Sequence, residues 1–281
     1  MLAPLSAEVI PDVRYKISAG DLTSADAITD EFCRTNGATS ECADAVAWLA
    51  RGAFIMKDPD RTRAYLTRAK GMTQDLAKKT RPEDDAYLAA AMGAVIEVEA
   101  RLFASEGKTD KAIALLQSEL PHWNLFSIQA RIQKNLNLLT LENKPAPALK
   151  RELRGHPILL FLWGHWCSDC TGQAPIIARI RQRYESQGLL IVAPTRRIGS
   201  VNGDDQATPE QEEAEIERVW KQSYPGLANV PHPVDQSAML AYGVSSTPTL
   251  VLIDRSNIVR MYCPYRMSES DLARHIDAIM H

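Results

Sequence analysis

The chain has 281 residues, 45% hydrophobic and 24% charged, proportions that bury cores of ordinary size and exclude disordered and fibrous classes. Its 32 Lys and Arg against 35 Asp and Glu leave a net charge of −3 at pH 7; without a dense basic footprint, nucleic acid is not expected as a partner. The longest apolar runs, 158–163 and 189–193, fall far short of the roughly 18 residues that cross a bilayer, so no membrane span is expected.

Residues 1–20 hold no basic start followed by an apolar core, so no secretory signal is read there. A cytosolic protein and an exported one supplied with a start Met both fit that beginning. From about Asp21 to Leu141 the text is rich in Ala and Leu at helical spacing. Ala45, Leu49, Gly52, Ala53 and Met56 recur three and four apart, as do Val95, Val98, Leu102 and Phe103. Six helices are predicted, over 22–35, 40–56, 60–79, 84–105, 109–120 and 124–140, divided by Asn36-Gly37, Asp58-Pro59, Arg81-Pro82, Gly107 and Pro121. Cys33 and Cys42, nine apart around the Asn36-Gly37 turn, are read as a structural disulfide between neighbouring helices, with two small buried thiols as the alternative. A disulfide there points to an oxidising compartment.

Two stretches of this half rhyme, Ala19-Gly20-Asp21-Leu22-Thr23-Ser24-Ala25 and Ser105-Glu106-Gly107-Lys108-Thr109-Asp110-Lys111-Ala112. A small residue five after the turn glycine lets paired helices approach closely, and the pattern loosely resembles tetratricopeptide helical hairpins. A plain helical bundle is the alternative. At Lys144-Pro145-Ala146-Pro147 the composition changes, because two prolines in three residues stop a helix and favour extended chain. Beyond them strands are predicted near 157–163, 189–194, 249–254 and 258–263, and helices near 168–186, 209–223, 236–242 and 269–280. The expected organisation is an all-α, helical-repeat-like domain over 1–142 followed by an α/β domain over 143–281.

The apolar run ending at Trp163 leads through Gly164-His165-Trp166 into Cys167-Ser168-Asp169-Cys170 and a helix containing Pro175. A C-x-x-C at a strand-to-helix turn puts the first sulfur at a helix N-terminus, where free amide N–H groups and the macrodipole favour thiolate over thiol. The second cysteine, one turn on, is placed to resolve a mixed disulfide by intramolecular attack. Asp169 between them adds a negative charge that opposes the thiolate. The loop from Ala193-Pro194-Thr195 through Arg196, Arg197 and Gly199 is expected at the same sheet edge. Arg196 or Arg197 is then a cation for the dithiol and for an acidic client, unless both are simply solvated on a mobile loop.

The W-C-x-x-C, the strand before it, the proline five residues after the second cysteine and the downstream Thr247-Pro248-Thr249 together resemble the thioredoxin superfamily. Pro145-Ala146-Pro147, Leu153-Arg154-Gly155-His156-Pro157 and Tyr242-Gly243-Val244 through Ile253-Asp254-Arg255 look most like its TlpA/ResA-type exported thiol-disulfide oxidoreductases. The resemblance covers 145–281 and implies a thioredoxin fold, a mixed central sheet flanked by helices. It implies Cys167 as nucleophile and Cys170 as resolving thiol, with Trp166 packed beside them. It implies Pro248 as a cis-proline facing the pair and Thr247 as a backbone partner for a client peptide added as a strand. The chain departs from the pattern in two places: thioredoxins carry a buried Asp where Phe161 stands, and exported relatives often carry a Glu where Gln173 stands. With neither carboxylate, proton transfer falls to water or to a neighbour of the pair. His165, two residues before Cys167, is the nearest candidate besides Gln173's own position, and an inert exposed loop residue is the alternative.

The expected activity is thiol-disulfide exchange with protein clients, fed by an electron-donor protein and needing no cofactor or metal. A peroxidase of the same superfamily needs a hydroxyl and a proline where Gly164 and Leu160 stand. His165, Cys167 and Cys170 offer three metal ligands and no second cluster to complete a tetrahedral set. In another class, the chain is a helical-repeat interaction protein whose redox or metal-binding domain is vestigial. Cys263, near the end of the last strand, reads as a buried free thiol. The expected location is the periplasm or another exported compartment, with the cytoplasm as alternative.

Overall fold

The computed structural model describes residues 8–280, and the chain divides into two compact units, Met1–Asn135 and Leu136–His281. The divide falls slightly ahead of the expected domain boundary after residue 142.

Among the described residues, seven α-helices occupy the first part of the chain: α1 (Val9–Ser18), α2 (Leu22–Asn36), α3 (Ser40–Ile55), α4 (Pro59–Ala77), α5 (Ala86–Ser105), α6 (Thr109–Glu119) and α7 (Phe126–Thr140). The last six correspond to the predicted helices, and α1 lies ahead of them. Its Pro11 sits in the first turn, where an N–H has no intrahelical partner to lose, so the helix starts despite the proline. Asp21, Thr39, Asp58 and Asp85 cap α2, α3, α4 and α5 by accepting the backbone N–H three residues on. Helices pack as consecutive pairs, α1 on α2, α3 on α4 and α5 on α6, with α3 also against α1 and α5.

The pair turns repeat one another more closely than the sequence suggests. Gly20, Lys57 and Gly107 all take left-handed backbone at φ of 78°, 60° and 76°, and five residues after each stands a fully buried small side chain, Ala25, Thr62 or Ala112. Lys57 in the glycine position disguises the middle turn, since an L-residue there carries a steric cost that tertiary packing must offset. The Cys33 and Cys42 sulfurs are bonded across the α2–α3 turn, with Cα atoms 5.4 Å apart.

The first unit buries charge as well as apolar surface. Glu97 on α5, 3% exposed, meets Arg51 of α3, Lys134 Nζ of α7 at 2.9 Å and Arg131 Nη1 at 3.8 Å. Burial opposes its charge, but the three cations outweigh that and hold the carboxyl far below its ordinary range. Asp44 on α3 has the opposite balance: burial pushes it up to about 6, against the pull of Arg131, Arg51 and Arg14.

In the second unit the chain leaves a turn in which Asn143 takes left-handed backbone and lies beside 257–259, with Asn143 N–H donating to the Val259 carbonyl and Ala146 N–H to that of Asn257, at 2.8 and 2.9 Å. The sheet contains β1 (Ile158–Leu162), β2 (Leu190–Val192), β3 (Thr249–Ile253) and β4 (Val259–Cys263) in the order β2-β1-β3-β4. β1 is parallel to β2 and antiparallel to β3, and β4 is antiparallel to β3. Every residue of β1 and β3 is buried, which is why both read as unbroken apolar runs. Helices α8 (Ser168–Tyr184), α9 (Pro209–Ser223), α10 (Gln236–Ala241) and α11 (Glu269–Asp277) complete a thioredoxin fold. α9 starts at a reciprocal capping box between Thr208 and Gln211. It buries Glu212, Ile216 and Trp220 in a stripe of period four. Trp220 anchors it, with its ring 4.9 Å from Trp163 at the end of β1 and stacked on Tyr224 at 4.8 Å.

Two outcomes follow for stability. Replacing Cys33 and Cys42 by Ser opens a loop of about ten residues, and denaturant titration should show a loss of about 2–3 kcal/mol. Asp44 binds its proton more tightly folded than unfolded. Its protonation therefore stabilises the fold as pH falls from about 6 towards 4, and that gain is lost as pH rises through about 6. Asp44→Asn should remove this component, so the wild-type minus variant stability should change by about 2–3 kcal/mol between pH 4 and pH 7.

Candidate active site

β1 ends at Leu162, and the chain turns within four residues, closed by the Cys167 N–H donating to the Gly164 carbonyl at 3.0 Å. A Cβ on Gly164 would fall 2.7 Å from the Trp166 ring, so glycine lets that indole fold back over the turn. Cys167 is the N-cap of α8, and its sulfur accepts the Cys170 N–H at 3.0 Å. The two sulfurs are bonded, with Cα atoms 5.3 Å apart, so the pair stands in its oxidised form. Cys167 is 9% exposed and Cys170 wholly buried: an incoming sulfur can reach the first and not the second.

Three neighbours of the pair come from the turn itself and the loop after β2. Trp166 is 42% exposed, with the His165 ring edge-on at 4.8 Å and the Arg196 guanidinium over it at 5.4 Å. The loop reaches this place because its root is bonded along the end of β1. Trp163 N–H donates to the Pro194 carbonyl at 3.2 Å, Trp163 Nε1 to that of Ala193 and Thr195 Oγ1 to that of Trp163, both at 2.9 Å. Burial pulls the Arg196 guanidinium below its ordinary value, with the Glu212 charge opposing. The solvated-arginine alternative therefore fits Arg197 alone, whose guanidinium is exposed and paired with Glu213 at 3.2 Å.

His165 departs from the exposed-loop alternative, since its side chain is only 5% exposed. Its Nε2 meets the Ser200 carbonyl at 3.2 Å and lies 3.7 Å from Glu212 Oε1. Glu212, fully buried, accepts the N–H groups of Ile198 and Gly199 at 2.5 and 2.8 Å. The sequence reading missed this carboxylate. Its signal was present: Glu212 occupies an apolar position in the stripe it shares with Ile216 and Trp220.

Gln173 has a different task from proton transfer. Its amide donates to the Met267 carbonyl at 3.1 Å and accepts the Met267 N–H at 3.0 Å, clamping the chain before α11 onto α8, and an amide carries no titratable proton. Thr247-Pro248 is a cis peptide. Thr249, the next residue, pairs with Leu162, so the register brings Pro248 to the sheet end where β1 leads into the cysteine turn. Cys263 remains a thiol, pushed up by partial burial.

Asp169 has a partner the sequence did not reveal. Arg266 Nη1 lies 3.6 Å from its carboxylate, and Nη2 reaches the Gly172 carbonyl at 3.4 Å. The Asp169 charge is thus partly offset at the mouth of α8. Arg266→Gln should slow alkylation of reduced Cys167 at a fixed pH near neutrality, and Asp169→Asn should speed it. Both effects should be about two- to fivefold, as expected of a half-exposed pair, and should shrink in 1 M salt.

No family model matches the chain. The thiol-disulfide oxidoreductase ResA of Geobacillus thermodenitrificans is 26% identical over 130 residues, 46% of this chain and 66% of that protein. The thiol:disulfide interchange protein DsbE of Xylella fastidiosa is 27% identical over 128 residues, 46% of this chain and 57% of its own length. The solved structure of a secreted Mycobacterium tuberculosis disulfide oxidoreductase is 18% identical, covers 45% of this chain and 84% of that one, and superimposes with a TM-score of 0.35. The chain thus spans from just over half to about two thirds of the length of the curated relatives it matches. Its C-terminal part is thioredoxin-like, similar in sequence to ResA- and DsbE-type thiol-disulfide oxidoreductases.

Proposed function

We propose that this protein is a thiol-disulfide oxidoreductase that reduces or exchanges disulfides in protein clients. The observation that carries the reading is the Cys167 sulfur at the N-cap of α8, accepting the Cys170 N–H while its partner is sealed from solvent. In the reduced protein the Cys167 thiolate attacks a client disulfide, forming a mixed disulfide and releasing one client thiol. Cys170 then gives up its proton and attacks the Cys167 sulfur, releasing the second. One disulfide is made, one is broken, and no cofactor is needed. An electron-donor protein restores the dithiol by the reverse exchange.

In this reading, the exposed Trp166 and the Thr247 backbone beside Pro248 receive the client as an added strand. Arg196 offers a cation to an acidic client and Arg197 extends that charge along the loop, while His165 handles the proton. The helical unit supplies further client or partner contacts through its repeated hairpins. The Cys33–Cys42 bond favours an oxidising, exported compartment such as the periplasm. Among the described residues no helix is long and apolar enough to cross a membrane.

The test is disulfide reduction, with insulin as substrate and a chemical thiol as donor, on wild type, Cys167→Ser and Cys170→Ser. Wild type should reduce insulin and Cys167→Ser should be inert. Cys170→Ser should accumulate a mixed disulfide through Cys167, seen as a mass adduct. Full activity in Cys167→Ser, or an inert wild type, would overturn the reading.

A further inference from the structure

The chain lacks the family's two carboxylates near the dithiol, yet it buries another carboxylate close by, on a different element. Glu212 enters from α9, has no exposed surface and accepts two backbone N–H bonds from the loop after β2. An ionised carboxylate, which only accepts hydrogen bonds, suits that setting. Its charge lies 3.7 Å from His165 Nε2, on a side chain held within the Gly164–Cys167 turn.

The hydrogen bonding of His165 fixes its chemistry. Ser200 presents a carbonyl oxygen to Nε2 at 3.2 Å, and a carbonyl can only accept, so Nε2 carries the hydrogen. In a neutral ring the other nitrogen, Nδ1, then holds a bare lone pair. Nδ1 is buried and has no hydrogen-bond partner while the cysteines are joined. A buried base without a partner, two residues before Cys167 in the same turn, is free to take a proton when the disulfide opens into two S–H groups.

We infer that Glu212 is a positioning residue for the dithiol: it stabilises the imidazolium formed when His165 Nδ1 takes a cysteine proton. The inference rests on the proposed oxidoreductase reading and adds the proton path to it. The Cys167 S–H bond breaks, its proton moves to Nδ1, and the thiolate attacks the client disulfide. The leaving client sulfur takes the electron pair of the broken S–S bond and the proton returned by Nδ1. Cys170 then repeats the cycle: its proton passes to Nδ1, its sulfur bonds to Cys167, and the second client sulfur leaves protonated. Two electrons and two protons reach the client. His165 ends neutral and the enzyme ends as its disulfide.

The charges facing His165 are Glu212 and, through space, Glu215 from α9, with Glu215 itself bound to Arg218 at 2.5 Å. Arg196, on the loop after β2, faces Glu212 electrostatically and Trp166 through its ring. Of the two carboxylates, Glu212 is the one within 4 Å of the ring, while Glu215 is bound to Arg218. Its charge is therefore available to an imidazolium in a way that the charge of Glu215 is not.

The test is the pH profile of Cys167 alkylation by iodoacetamide in the reduced full chain, for wild type, Glu212→Gln, His165→Gln and the double variant. Each single variant should move the alkylation midpoint up by about one pH unit, leaving about tenfold less thiolate below it. The double variant should move it no further, because both changes cut one path. A purely structural role in holding Ile198 and Gly199 would shift the midpoint equally with and without His165, which would overturn the inference. Unchanged midpoints would also overturn it. Nitrogen-15 spectra of His165 in reduced wild type need no variant. They should show the Nε2–H tautomer at high pH and a ring already doubly protonated at the pH of the alkylation midpoint, and an Nδ1–H tautomer at high pH would sink the idea. Alkylation of Cys170 before Cys167 would instead bring down the oxidoreductase role assignment itself.

Discussion

The structure turns on one backbone hydrogen bond, from the Cys170 N–H to the Cys167 sulfur. It exists because only five residues separate the end of β1 from the start of α8, and because the helix's first N–H groups have no intrahelical acceptor. A negative sulfur at such a cap is favoured by the macrodipole, by up to about 2 kcal/mol when partly buried, which is roughly 1.5 pH units of acidity. β1 can deliver the turn there only while its end stays fixed. Trp163, wedged against Trp220 and Tyr224 at ring distances of 4.9 Å, fixes it. The aromatic cluster thus steadies the turn that carries the cysteines, in the same buried core as both of them.

The two units bury carboxylates under different terms. Glu97 has three cations within 4 Å, enough to outweigh the cost of burial and hold it ionised. Such a site serves helix packing, since its charge is fully committed. Glu212 has two amide N–H groups and a histidine. The Arg196 charge also acts on it through space, but no cage of cations like that around Glu97 is built at this site. The same residue type is therefore held by cations in one unit and mainly by backbone amides in the other.

Much of the architecture was legible in the sequence. The helical periodicity of Ala45, Leu49 and Ala53 and the apolar runs of β1 and β3 are strong local signals, and the cysteine turn and cis-proline stand at their expected places in the fold. What escaped depends on three-dimensional context. α1 hid behind Pro11, which is harmless only because it falls in a first turn. The middle hairpin hid behind Lys57, which adopts the backbone its counterparts assign to glycine. Arg266 lies nearly a hundred residues from Asp169 in sequence and reaches it at 3.6 Å through the fold, a pairing that no spacing rule encodes. Glu212 was the partial case: a charged residue in an apolar stripe announces burial, while its partner stays unknown until the loop is placed.

The residues around the cysteine turn and the buried pair bear on one physical problem. A dithiol that cycles must shed and regain a proton at each sulfur, and neither Phe161 nor Gln173 offers a titratable group. Phe161 gives β1 a wholly apolar face, which Tyr224 packs against at 6.2 Å. Gln173 turns its position into a two-way clamp on Met267. Both positions supply packing or hydrogen bonding and no titratable group. In the proposed path the acceptor, His165, stands in the cysteine turn itself, and the long segment between β2 and β3 supplies the carboxylate that faces it. α9, pinned by Trp220 against Trp163 at the end of β1, carries Glu212 two turns away on the same buried face, so the packing that steadies the turn also fixes the charge beside it.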